Sequence, residues 1–194
     1  QKMFALSVME NQANLLHDPD TPAYGPDNAK VAVIEFFDYQ CVFCSRFAPE
    51  LEKVMKAQPD VRYLFKDWPI FGGRWEASLQ AAQQGLTVWQ KKGPQAYVTY
   101  HNAIYATGHN EGKLTAEDIH GAASKAGLTT PIPGDHTASL EKNSNLAEAL
   151  GLTGTPGIIV MPVSGATPDT ITVFPEAVTA DKLQAAIRKA TRVK

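Results

Sequence analysis

Cys41 and Cys44 are the only cysteines in the 194-residue chain, and two residues separate them. They have to be explained together. As a structural staple the pair would contribute little, because the loop-entropy estimate for so short a ring is about 2 kcal/mol, against about 3 for a 15-residue ring. A structural zinc site needs four ligands. The chain offers no second cysteine pair, and His17, His101, His109, His120 and His136 lack an H-x3-5-H spacing. The chemistry that explains such a pair best is thiol-disulfide exchange.

That chemistry needs a sulfur that ionises and a second sulfur within reach of it. "VAVIEFFDY" (31–39) is a nearly continuous apolar and aromatic run ending in turn residues, which reads as a buried central strand leading straight into the cysteines. Beyond Cys41, the residues Phe47, Leu51, Val54 and Met55 recur at helical spacing, with a kink expected at Pro49. A cysteine in the first turn of a helix faces unpaired N–H groups and the positive end of the helix dipole, which lowers its pKa. Cys41 is therefore expected to be the exposed nucleophilic thiolate. Cys44, one turn further in, is expected to be more buried and to resolve the mixed disulfide. A surface pair of inert thiols is the weaker reading, since a strand-to-helix junction is where a thiol becomes reactive.

Glu35 lies inside the same strand, six residues before Cys41. A carboxylate buried there must be protonated or paired, and beneath the resolving thiol it could accept and return a proton. Lys66, on the next strand, is the partner expected for it. The blander alternative is a carboxylate at a strand edge that reaches water. In "GTPG" (154–157) Pro156 stands directly before an apolar strand, which marks a strand start or a cis bond. With a cis bond, the backbone of Thr155 would be free to pair with an extended peptide beside Cys41.

The elements that position these residues follow from the periodicities. Residues 60–68 read as a second strand, which completes a right-handed β-α-β unit. Residues 74–150 carry only helical signals, and 157–163 with 170–174 read as an antiparallel hairpin. A last helix places Ala180, Leu183, Ile187 and Ala190 on one face. The expected fold class is α/β, a thioredoxin fold (β-α-β … β-β-α) of four strands with an inserted all-helical domain. The expected division is 1–27 as an N-terminal extension, 28–73 with 151–194 as the thioredoxin-like domain, and 74–150 as the helical insertion. In the extension, Phe4, Leu6, Val8, Met9, Leu15 and Leu16 form a weakly apolar helical face, which leaves homo-oligomerisation through this segment open. Trp68, Phe71, Trp75 and Trp89 are expected in the core rather than along a peptide groove.

A formal charge of −2 and a pI near 6.2, without any run of Lys or Arg, argue against nucleic acid or anionic lipid as partners. No apolar stretch approaches the roughly 20 residues of a membrane span, and the first residues lack the apolar centre of a secretory signal. Any export signal is expected to have been removed.

The strings "VIEFFDYQCVFC", "YLFKDWPIFGG" and "LGLTGTPGIIV", in that order, resemble the DsbA-like proteins of the bacterial envelope, particularly the branch of suppressor-of-copper-sensitivity protein C. The likeness covers about residues 20–194. It implies a periplasmic location, disulfide exchange in cysteine-containing exported proteins, a membrane redox partner, and no cofactor. It places the nucleophile at Cys41, the resolving cysteine at Cys44, the buried acid at Glu35 with Lys66 beside it, and the cis-proline loop at Thr155-Pro156. Two positions depart from the family. Val42 stands where Pro is usual, and Phe43 stands where strongly oxidising members have His. Neither side chain can donate a hydrogen bond to a thiolate, so a less oxidising pair than that of DsbA is expected. Thr155 is closer to the isomerase and reductase relatives.

The first alternative is an isomerase or reductase kept in the dithiol state by a membrane partner. A Cu(I)-binding module using the two thiolates is a different class of reading. It is disfavoured by the dispersal of Met3, Met9, Met55 and Met161. A protein with an inert disulfide is the third.

Overall fold

The computed structural model describes residues 1–130 and 134–192. Helices α1 (Lys2–Glu10) and α2 (Gln12–Leu16) precede a two-residue strand β1 (Ala23–Tyr24), followed by β2 (Val31–Phe37), α3 (Val42–Ala57) and β3 (Arg62–Asp67). Four helices come next: α4 (Glu76–Lys92), α5 (Pro94–Ala106), α6 (Ala116–Lys125) and α7 (Thr137–Ala149). The chain closes with β4 (Gly157–Pro162), β5 (Thr172–Phe174) and α8 (Ala180–Ala190). The sheet runs β1-β3-β2-β4-β5. β2 and β3 are parallel and the other neighbours antiparallel. This is the α/β order expected from the sequence, with one strand more than the four expected. β1 is only two residues long, too short to leave a period of its own, and it pairs through Ala23↔Leu64 and Tyr24↔Tyr63.

β2 is central, and all seven of its residues are buried. Because successive strand residues point to opposite faces, Val31, Val33 and Phe37 join one core with Tyr63, Phe65, Ile158 and Val160. Ala32, Ile34 and Phe36 join the other with Leu64, Ile159 and Met161. Helices α3, α5, α6 and α8 cover the first face, and the core is continuous from the sheet into the helical block. Gly85 on α4 makes room there, since a Cβ would stand 2.9 Å from the Tyr100 ring. The second face is covered by α1, α2 and the end of α7 through Ala5, Val8, Leu15, Leu146 and Leu150. The apolar face of the N-terminal segment thus packs on the chain's own sheet, leaving Met3 and Leu6 exposed. Helix α3 continues through Pro49 to Ala57. Of the four large aromatics expected in the core, Trp68 is buried, while Phe71, Trp75 and Trp89 are half-buried.

Candidate active site

Cys41 is the N-cap residue of α3, in extended conformation (φ −80, ψ 121), at the turn where β2 gives way to the helix. Asp38 builds that turn. Its Oδ1 accepts from the Gln40 N–H (2.8 Å) and from Ser78 Oγ (2.9 Å), and its Oδ2 accepts from the Phe71 N–H (2.9 Å). The Cys41 N–H donates to the Asp38 carbonyl at 3.1 Å. Both cysteines are free thiols.

The expected order of burial holds, with Cys44 at 0% and Cys41 at 3% exposure, but the exposed Cys41 expected from the sequence is not found. Its sulfur donates to the Thr155 carbonyl at 3.4 Å. The loop before β4, which the sequence leaves 114 positions away, covers it. The Thr155–Pro156 peptide bond is cis.

The two sulfurs titrate in opposite directions. A hydrogen bond from Cys44 draws the Cys41 thiol down to about 6, against burial; Thr155 and the first backbone N–H groups of the helix assist. Burial first, then the neighbouring Cys41 sulfur and the Glu35 charge, push the Cys44 thiol well above its ordinary value.

Glu35 is buried on the cysteine face of β2, not at a strand edge. Burial, then Asp67 and Cys41, hold its carboxyl well above the usual range. The expected pairing with Lys66 is overturned. In the parallel register Glu35 stands opposite Phe65, and Lys66 stands opposite Phe36. Residues one step apart on a strand face opposite ways, so Lys66 points to the other side of the sheet. There its Nζ donates to Thr21 Oγ1 (2.6 Å) and the Asn14 carbonyl (3.0 Å), with Asp18 Oδ2 at 4.0 Å. The groups on the Glu35 side are Asp67, whose Oδ2 accepts from the Tyr97 hydroxyl at 2.8 Å, and His101, whose Nε2 is 3.9 Å from Glu35 Oε1.

A model of the family described as thioredoxin matches residues 17–188. The chain belongs to the thioredoxin family. It is 27% identical over 154 residues to disulfide bond formation protein D of Bacillus subtilis (strain 168), a stretch covering 72% of this chain and 67% of that protein. The crystal structure of BcfH from Salmonella enterica Typhimurium superposes with a TM-score of 0.84 at 38% identity, over 98% of this chain and 81% of that one. The catalytic domain of Proteus mirabilis ScsC gives a TM-score of 0.81 at 26% identity, over 97% and 99% of the two chains. This thioredoxin-family chain is a thiol-disulfide oxidoreductase of the DsbA- and ScsC-like kind, the branch its sequence resembles.

At the mouth of the thioredoxin-family site, Phe43 is 54% exposed, with the Arg46 guanidinium 5.5 Å from its ring centroid. The Val42 N–H donates to Glu111 Oε2 at 3.4 Å. Glu111 belongs to the α5–α6 loop and adopts φ 50, a left-handed conformation uncommon for a residue with a side chain. Gln40 holds that loop: its carbonyl accepts from Glu111 N–H (2.9 Å), and its Oε1 accepts from Gly112 N–H (2.8 Å). Asp38, Asp67, His101 and Glu111 were not anticipated from sequence. Asp38 and Asp67 lie at strand ends, where acids are ordinary turn residues, and His101 is one of several apparently scattered histidines.

Proposed function

We propose that the enzyme catalyses disulfide formation or exchange in cysteine-containing exported proteins of the bacterial periplasm, with Cys41 as nucleophile and Cys44 as resolving cysteine. The observation that carries this reading is the opposite displacement of the two thiols, Cys41 down to about 6 and Cys44 upward. In the reducing direction, the Cys41 thiolate attacks a substrate disulfide and expels one substrate thiolate. Glu35, having first released its own proton to solvent, then takes the Cys44 proton as Cys44 attacks Cys41 Sγ, expelling the second substrate thiolate as the enzyme disulfide forms. In the oxidising direction the same steps run backwards, and Glu35 returns the proton to Cys44. Thr155 and Pro156 are proposed as the edge along which an extended substrate lies, supported by the contact of the Thr155 carbonyl with Cys41 Sγ.

Val42 and Phe43 are proposed to leave the pair less oxidising than DsbA. The Cys41 value of about 6 falls between the thiol pKa near 3.5 of DsbA and that near 7 of thioredoxin. A potential between about −270 and −120 mV is therefore expected on equilibration with glutathione. A potential at or above about −120 mV would defeat this reading. The state of the cysteines as isolated from cells separates an oxidase from an isomerase or reductase held in the dithiol form by a membrane partner. A Cu(I) module is the weaker alternative, because the chain matches disulfide bond formation protein D of Bacillus subtilis over most of its length. Tight stoichiometric Cu(I) binding with no turnover of a test disulfide would reverse that order.

The division into 1–27, 28–73 with 151–194, and 74–150 is proposed on the placement of α4 to α7 between β3 and β4. Self-association through residues 1–27 would have to rest on exposed residues such as Met3 and Leu6. Light scattering of the whole chain beside its Met3→Ser, Leu6→Ser variant tests it.

A further inference from the structure

Glu35 Oε1 and His101 Nε2 face each other at 3.9 Å, and neither has a hydrogen-bond partner among the described residues. Buried polar atoms are seldom left unpaired. Two such atoms facing each other invite a single explanation; Asp67 Oδ1, also without a partner among the described residues, is the other acceptor on this side of the sheet.

His101 sits on α5 at 2% exposure. Its ring is walled by Phe37, Tyr39, Phe65, Tyr97 and Tyr105, with centroids 5.0–6.4 Å away. Its Nδ1 lies 3.1 Å from Asn102 Oδ1. A neutral imidazole that donates from Nδ1 keeps Nε2 as a bare acceptor, so Nε2 requires a donor.

The surrounding phenols are already committed. Tyr39 donates to Tyr97 (3.5 Å), Tyr97 to Asp67 Oδ2 (2.8 Å), and Tyr105 to the Asp38 carbonyl (3.0 Å). Asp67 on β3, with Cys41 and Cys44 at the start of α3, completes the titratable groups that bear on Glu35. Among the described residues, Glu35 is the carboxyl within 4.0 Å of a ring nitrogen.

We infer that His101 is a positioning residue for Glu35: its unprotonated Nε2 accepts the acidic proton of the Glu35 carboxyl and fixes Oε1 as the place where that proton is kept. Rotation about the last side-chain torsion of Glu35, which is broad for a carboxyl, closes the gap. Burial acts in the same sense on both groups, holding the imidazole down to about 4 and the carboxyl up. The inference rests on the reading of Glu35 as the proton exchanger of Cys44, because a proton stored there is the one that exchange uses.

The test is the ring nitrogen spectrum of the full chain, labelled with 15N histidine, from about pH 5 to about pH 9, spanning the range in which imidazoles and raised carboxyls titrate. A neutral ring with the proton on Nδ1 is expected, together with a step in the Nε2 shift where Glu35 ionises. In Glu35→Gln, whose amide donates at every pH, the step is expected to vanish. A ring protonated on both nitrogens at neutral pH, a proton on Nε2, or a step that survives Glu35→Gln overturns the inference.

His101→Phe keeps the ring packing. It is expected to lower the Glu35 titration, followed by its carboxyl 13C shift, by about one unit, the size of one lost hydrogen bond. The pH profile of the resolving step should move with it. A Glu35 titration that stays in place or rises also overturns the inference. If Glu35→Gln leaves the resolving rate unchanged while the ring behaves as expected, the hydrogen bond stands and the proton-exchange role of Glu35 falls. Should His101→Phe not fold, the unmodified ring decides.

Discussion

Cys41 Sγ and the carbonyl oxygen of Thr155 stand 3.4 Å apart across 114 positions of chain. That contact belongs to the thiol, which has a proton to give. Once the sulfur ionises it becomes an acceptor, and Thr155 Oγ1, buried with no partner among the described residues, is the donor beside it. The rate of Cys41 alkylation against pH is expected to have a midpoint near 6. Thr155→Val should raise it by about half a unit to one unit, as one hydrogen bond is lost. A wild-type midpoint near the ordinary thiol value of about 8.5 would remove the basis for a reactive Cys41.

Asp67 and Glu35 make stability depend on pH. Burial, opposed by the Tyr97 hydrogen bond, holds Asp67 up to about 8, and Glu35 is raised as well. In the unfolded chain both ionise near pH 4. The folded state therefore keeps protons the unfolded state has lost, and the stability this gives below about pH 4 is lost as pH rises through the folded values. His101, lowered to about 4, acts in the opposite sense up to about pH 6.5, and Cys41, lowered to about 6, does so up to about pH 8.5. Between about pH 6.5 and about pH 8 the Asp67 proton is expected to lower the unfolding free energy by about 1–2 kcal/mol, an effect that Cys41 offsets, so the quantity read is the difference between the wild type and Asp67→Asn. Asp67→Asn, which keeps an acceptor for Tyr97, should gain that amount of stability on the wild type between the two pH values. Denaturant titrations of both proteins at the two pH values measure it, and a difference that does not change with pH would mean that Asp67 is already ionised at the lower one.

Lys66 is expected to be silent in exchange. It lies on the face of the sheet away from the cysteines, held by Thr21 and Asn14. Lys66→Met should leave the Cys41 alkylation midpoint in place. Stability should change by less than about 2 kcal/mol, since an apolar side chain that replaces a buried charge offsets part of the lost bonding. A midpoint displaced by a full unit would reconnect this lysine with the thiols.

Glu111 places a carboxylate on the Val42 N–H, next to the sulfur that has to ionise. Glu111→Gln keeps the acceptor and removes the charge, so the Cys41 pKa is expected to fall by up to about half a unit at low ionic strength and by less in salt. An equal shift at both ionic strengths would show that the change acts through the shape of the loop.

The chain's own periodicities determined a good part of this protein. An apolar run ending at the cysteines, helical spacing beyond them, a long helical block and an apolar hairpin fixed the order of elements. They also put Cys41 at a strand-to-helix junction and Glu35 in a central strand. These are local signals, carried by residues a few positions apart, and pairing between distant segments does not alter them.

Only the tertiary structure decided what meets what. The parallel register sends Lys66 to the far face, because a shift of one residue reverses the side a strand residue takes. Thr155 is folded over a sulfur that the sequence left open to solvent. His101 and Asp67, unremarked in the chain, are brought to Glu35 by the packing of α5 and by the end of β3. A buried carboxyl finds its partners across space, and no spacing along the chain records that distance.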